Sequence, residues 1–245
     1  MFKTKIQFKN NFFKYLKFIV ISIFVFNFSS LSYSQDNISR DKKNLDNIIK
    51  RVLDVDRKNR SYQADIFIYS KGFYEKGKKT AQEQETRMSG FLTFKKPSSV
   101  LFKVNESQDS MARGATLLYT GGKKVQVRAS GLLGLVKVSF NIDDPMFSNA
   151  RNHTFSFDGL KNLRSGIINS ELIGKRIRNG KEAYVIKVDP IIKADPEITH
   201  EMYFVDTETF RVLAIEMYVN KDMVSQYSVK NMKANILKSD DVFKL

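Results

Sequence analysis

The sequence holds two imidazoles, His153 and His200, far apart and in no metal-ligand spacing such as H-x-x-x-H. There is no cysteine to supply a thiolate for catalysis or metal binding. Among the carboxylates, Asp143-Asp144 precedes Pro145 and reads as a turn, while Glu83 and Glu85 fall in a solvated, glycine-marked loop. No G-x-S-x-G, P-loop or dinucleotide fingerprint occurs, and Gly121-Gly122 reads as a hairpin turn and not as a phosphate cradle. No set of groups meets the geometric requirements of a catalytic centre, so the expectation is a protein that is not an enzyme, with no catalytic residue, metal or cofactor. One charge nonetheless asks for an explanation. In GFLTFKKPSSVLFKV (90–104), Gly90, Leu92 and Phe94 share one face of a strand, and a period of two places Lys96 on that same apolar face. A buried, unpartnered ammonium costs several kcal/mol or more. Lys96 therefore needs a partner at a rim, either carbonyls at the end of a covering helix or the polar head of a ligand.

The elements that position these residues are legible from their periods. Over Ser39 to Arg60, Leu45, Ile48, Ile49, Val52 and Leu53 form one stripe of an amphipathic helix, and polar residues cover its other side. Strand patterns follow nearly everywhere. SYQADIFIYS (61–70) sets Ala64, Ile66 and Ile68 on one face, and a polar hairpin loop is expected over Lys71 to Thr86. Arg87 to Phe94 and Val100 to Val104 flank a corner at Pro97, which cannot donate to a ladder. GATLLYTGGKKVQVR turns at Gly121-Gly122, and RIRNGKEAYVIKV turns at Asn179-Gly180, a strong hairpin signal. Three more strands fill 201–229, separated by Asp206–Thr209 and Asn220–Asp222. A short helix capped by Asp158 is expected within Phe157 to Ile168, and GLLGLVKVSF (131–140) fits neither period. One curved antiparallel sheet with a helix across it is the economical architecture.

The first 34 residues read as a cleavable export signal. Five lysines precede a short apolar run from Phe18 to Phe28, and Ser32-Tyr33-Ser34 offers the small residues of a cleavage site. The run is near half the roughly 20 residues a membrane span requires. A single domain over 35–245 is expected, held by its core alone because no disulfide is available. Removing the leader lowers the formal charge from +15 to +10, spread along the chain without a dense block. That spread argues against nucleic acid and is compatible with anionic lipid headgroups, an acidic partner, or solubility alone.

The inward face of the meander then carries Leu92, Phe94, Val100, Phe102, Val104, Ala115, Leu117, Tyr119, Leu213, Ile215, Met217 and Val219. With 20 Phe, 8 Met and no Trp, these side chains suit a cavity for varied apolar guests or an ordinary close-packed core.

Four segments, LDNIIKRVLDV, GFLTFKKP, VLFKV and the closing NILKSDDVFKL, together resemble the periplasmic lipoprotein carriers LolA and LolB over nearly the whole mature chain. The middle is closer to exported relatives of those carriers. The resemblance implies an incomplete antiparallel β-barrel in which an N-terminal amphipathic helix and a short helical lid cover the concave face. It implies a monomer of the Gram-negative periplasm that shields the acyl chains of a lipid or lipoprotein, with an inner-membrane exporter or outer-membrane acceptor as partner. It places Leu92, Phe94, Val100, Phe102, Val104, Leu117, Tyr119, Leu213, Ile215 and Met217 along the cavity. Leu45, Ile48, Ile49 and Val52 then form the lid and Lys96 its latch. The carriers have arginine at the latch and a tryptophan in the next strand, where this chain has Leu101, Phe102 and Lys103. The same fold also implies an alternative, an envelope sensor or adaptor that grips a protein partner without moving lipid.

Overall fold

The apolar stripe forms helix α1 (Ser39–Lys58), closed in its last turn by Arg57 and Lys58, whose charges suit the negative end of the helix dipole. A computed structural model describes residues 39–71, 85–108, 110, 112–130, 137–141, 160, 163, 169–189, 198–237 and 239–245. The leader, His153, Asp143-Asp144, Glu83, residues 131–136 and all of Phe157–Ile168 except Leu160 and Leu163 lie outside the described residues.

Eleven strands follow the helix: β1 (Ser61–Lys71), β2 (Glu85–Lys95), β3 (Ser99–Ser107), β4 (Thr116–Thr120), β5 (Lys124–Arg128), β6 (Lys137–Asn141), β7 (Ser170–Arg178), β8 (Lys181–Val188), β9 (His200–Asp206), β10 (Val212–Val219) and β11 (Asp222–Ala234). They form one sheet in the order β6-β5-β4-β3-β2-β1-β11-β10-β9-β8-β7, antiparallel at every pairing. Two hairpin runs are thus joined in the middle by the first strand and the last. Among the described residues β6 and β7 are the two edges of the sheet, which is not closed into a barrel.

Turn chemistry fixes the hairpins. Gly121, Gly122, Asn179 and Gly180 all adopt positive φ, the conformation these tight turns demand. The Lys96-Pro97 bond is cis at the corner between β2 and β3. Two expectations shift at their ends: Lys71, Glu85 and Thr86 belong to strands instead of the loop. The Glu85 carboxylate accepts from the Tyr69 hydroxyl at 3.0 Å and pairs with Arg87. β6 was hidden in the run that fitted neither period.

The period of two divides the sheet into faces. Inside, α1 lies against the β8–β10 half, where Leu45, Ile48, Ile49 and Val52 pack with Ile186, Val188, Tyr203, Val205, Phe210, Ile215 and Leu163. Each such side chain contributes about 1.5–3 kcal/mol on burial, enough to hold an amphipathic helix down. The β1–β6 half carries a second interior layer. On the outer side of β8–β10 sits a third, made of Ala183, Val185, Phe204, Leu213 and Ala214. The β7–β8 turn folds toward it: Arg178 lies over the Phe204 ring at 4.8 Å and pairs with Glu216 at 2.7 Å, and the Asn179 amide donates to the Leu213 and Val229 carbonyls.

Candidate functional site

Seven of the ten expected cavity residues come together. Leu92 and Phe94 of β2, Val100, Phe102 and Val104 of β3, and Leu117 and Tyr119 of β4 form one interior layer with Ala64, Ile66 and Ile68 of β1. α1 contributes no residue to this layer. All seven side chains are buried. Gly90 explains part of the packing. A Cβ there would lie 2.6 Å from the Phe102 ring and 2.4 Å from the Lys103 carbonyl oxygen, so only glycine lets Phe102 lie against β2.

The remaining three divide. Ile215 belongs to the layer under α1, and Met217 is buried next on the same face of β10. Leu213 is a correction: it packs with Phe204 and Ala214 on the outer face. A β-bulge between Val212 and Ala214 in the pairing with β9 inserts one residue, so alternation breaks and Leu213 cannot share a side with Ile215.

At the rim stands Lys96. Its Nζ donates to the Asp56 main-chain oxygen at 2.6 Å and reaches the Asp56 Oδ2 at 3.1 Å. Asp56 lies in the last turn of α1, where carbonyls lack partners within the helix and a cation is favoured by the dipole. The two side chains are 35% and 27% exposed, so the charge is neither desolvated nor free in bulk water. The lysine aimed at its own apolar side thus leaves that side by capping the end of the helix. Its neighbour Lys95 points the opposite way and pairs with Asp240 of the C-terminal segment at 2.5 Å.

Asn235 of the closing motif secures the same corner. Its Oδ1 accepts from the Arg60 amide at 2.8 Å, its Nδ2 donates to the Lys58 carbonyl, and its own amide donates to the Ser61 carbonyl. The end of the helix, the start of β1 and the end of β11 are therefore tied at one point.

Two tyrosines complete the interior and were not among the expected residues. Tyr62 packs its ring 5.0 Å from Phe94, and burial first, then the Asp56 carboxylate, pushes its hydroxyl well up from its ordinary value. Tyr227 is raised likewise by burial and by Tyr62. The alternation Tyr62, Ala64, Ile66, Ile68 was the signal that would have found the first. The interior thus combines apolar side chains and two phenols, with the Lys96 ammonium bonded to the end of α1 beside them.

Several other charged groups are occupied structurally. The Glu201 carboxylate accepts from Tyr203, and that of Glu216 accepts from Tyr218, both at 2.7 Å. Burial pushes the Asp206 carboxyl up, but the Lys181 ammonium and the amides of Thr209 and Glu208 overcome it and hold the pKa at about 2. The His200 ring stacks on Tyr218 at 4.8 Å on the outer face, and burial, then Lys187, lowers its pKa against an opposing effect of Asp189. Among the described residues no group of three or more His, Asp or Glu could hold a metal.

No protein-family model matches the sequence, and no curated protein matches it. Solved structures do. A conserved protein of Thermus thermophilus aligns at 10% identity over 82% of this chain and 94% of its own, with a TM-score of 0.50. The Mycobacterium tuberculosis lipoprotein LppX aligns at 11% identity over 80% and 99%, with a TM-score of 0.49. A LolA superfamily protein of Nitrosomonas europaea aligns at 12% identity over 82% and 97%, with a TM-score of 0.36. At such identities the likeness to the Thermus thermophilus protein is one of fold alone.

Proposed function

We propose that this chain is an exported, periplasmic protein that binds a lipid or the acyl chains of a lipoprotein without catalysis, and carries them toward the outer membrane. The observation that supports this most is the division of the interior. α1 covers one apolar layer, while the layer of Leu92, Phe94, Val100, Phe102, Val104, Leu117 and Tyr119 lies beside it, and Lys96 fastens the helix at the boundary. Burying an acyl chain gains about 0.8 kcal/mol per CH₂, ample to drive uptake. Release is the harder step. The latched end of the helix beside this layer makes both possible, since guest and closed latch favour different states of the lid. In this reading Leu45, Ile48, Ile49 and Val52 are the lid and Lys96 is its latch.

The test is uptake of a fluorescent fatty acyl probe by delipidated protein. Saturable binding, abolished in Leu117→Glu and Phe94→Glu variants that keep their strand signature by circular dichroism, supports the reading. Absence of saturable binding refutes it.

The burial of every wall residue favours a second reading, an adaptor whose interior is filled and whose sheet grips an envelope protein. Native mass spectrometry of protein purified from its own envelope separates the two. Co-purifying lipid supports the carrier; one stoichiometric protein partner and no lipid supports the adaptor.

A further inference from the structure

The outer face of β1–β6 and β11 carries a pattern that the interior does not explain. Cross-strand register sets one continuous row perpendicular to the strands: Lys230, Asp65, Phe91, Lys103, Thr116, Arg128 and Lys137. The row holds four cations and the Asp65 carboxylate, which already accepts from the Asn231 amide at 2.7 Å, while Lys137 donates to the main-chain oxygen of the C-terminal Leu245. Lys103 and Lys230 are exposed and hold no ion pair among the described residues. Next to the row stands Phe67, placed diagonally from Phe91 because Asp65 faces Phe91 and Phe67 faces Ser89. The two rings are 36% and 39% exposed, although they sit on strands in mid-sheet and not at an edge.

We propose that this face docks on an anionic lipid bilayer, with Phe67 and Phe91 seated among the headgroups and Lys103 and Lys230 against their phosphates. Aromatic rings flanked by lysines match the two demands of a membrane interface. The rings remove apolar area from water at the headgroup level, and each ammonium near the surface is attracted by anionic lipid. A bilayer also presents the broad, even surface that a sheet face can meet along a whole row of charges. The opposite, interior face of the same strands would stay free to hold a guest, so the proposal extends the function above by naming where the protein meets its membrane, and is testable apart from it.

The experiment is co-flotation of the full chain with vesicles of phosphatidylglycerol and phosphatidylethanolamine, against vesicles of phosphatidylcholine alone. Binding to the first and weak binding to the second is expected, with a loss as salt rises. Lys103→Glu combined with Lys230→Glu lowers binding by roughly tenfold or more, as expected for reversing two charges near the surface. Phe67→Ser combined with Phe91→Ser lowers it several-fold at unchanged melting temperature. No binding by the wild type, equal binding to both vesicles, or wild-type binding by both double variants overturns the proposal. Uptake of the acyl probe should be unaffected by either pair. Failed flotation with intact uptake removes the docking face alone, and failed uptake with intact flotation removes the carrier function alone.

Discussion

Replacing Lys96 by methionine keeps the length and apolar stem of the side chain and removes its ammonium. Two contacts disappear: a charge-assisted bond to the Asp56 carbonyl at 2.6 Å and an ion pair with the Asp56 carboxylate at 3.1 Å. A hydrogen bond to a charged group is worth about 1.5–3 kcal/mol, while a partly exposed ion pair adds about 0–1. With a third of the lysine side chain in contact with water, about 1–2 kcal/mol is the expected loss. That lowers the melting temperature by roughly 2–8 °C. It also raises the population with the helix end released by roughly 5–30-fold, so the acyl probe should enter faster. The carbonyl contact is the shorter and stronger of the two, so Asp56→Asn, which leaves the carbonyl in place, should cost well under half as much. Stopped-flow fluorescence with the probe, beside thermal unfolding of Lys96→Met, Lys96→Arg and Asp56→Asn, measures all of this. A Lys96→Met variant that melts and loads like the wild type would refute the latch, and Asp56→Asn matching Lys96→Met would refute capture through the carbonyl.

Three further outcomes follow from other residues. Gly90→Ala drives a Cβ against a backbone oxygen and the Phe102 ring and should destabilise the protein by about 1–3 kcal/mol, read as a lower denaturant midpoint. Leu213→Ala should lower stability by about 2–4 kcal/mol yet leave probe affinity unchanged, because the side chain faces the outer layer; a change in affinity would contradict its placement. Asp206 has a folded pKa of about 2 against 3.8 when free, so its stabilisation is complete above about pH 4 and lost as pH falls through 2. The stability difference between wild type and Asp206→Asn should therefore shrink by roughly 2 kcal/mol across that window, measured by urea titration at each pH.

Local patterns revealed the elements well. The 3.6-residue stripe found α1, and the Gly-Gly and Asn-Gly turns found the β4–β5 and β7–β8 hairpins. Lys96 was legible because a single charge broke a period of two, and the structure supplies its partner at the end of the same helix whose stripe had been read. What escaped was non-local. Nothing within a few residues of β1 tells that it pairs with β11, since that choice rests on which apolar surfaces remain once the hairpins have formed. Leu213 was misplaced because a bulge is a property of the pairing and leaves the alternation of VLAIEMYV looking continuous. The exposed rows on the outer face need the full register before their charges align.

The seam between β1 and β11 has a consequence for biogenesis. Ile66 meets Val229 across 163 positions of chain, and strands β2 to β10 between them form the two hairpin stacks that this seam unites. A chain that emerges amino end first can complete neither stack's inner border until its final strand has appeared. A product clipped before Asp222 would be left with two unmated borders, each an invitation to proteases.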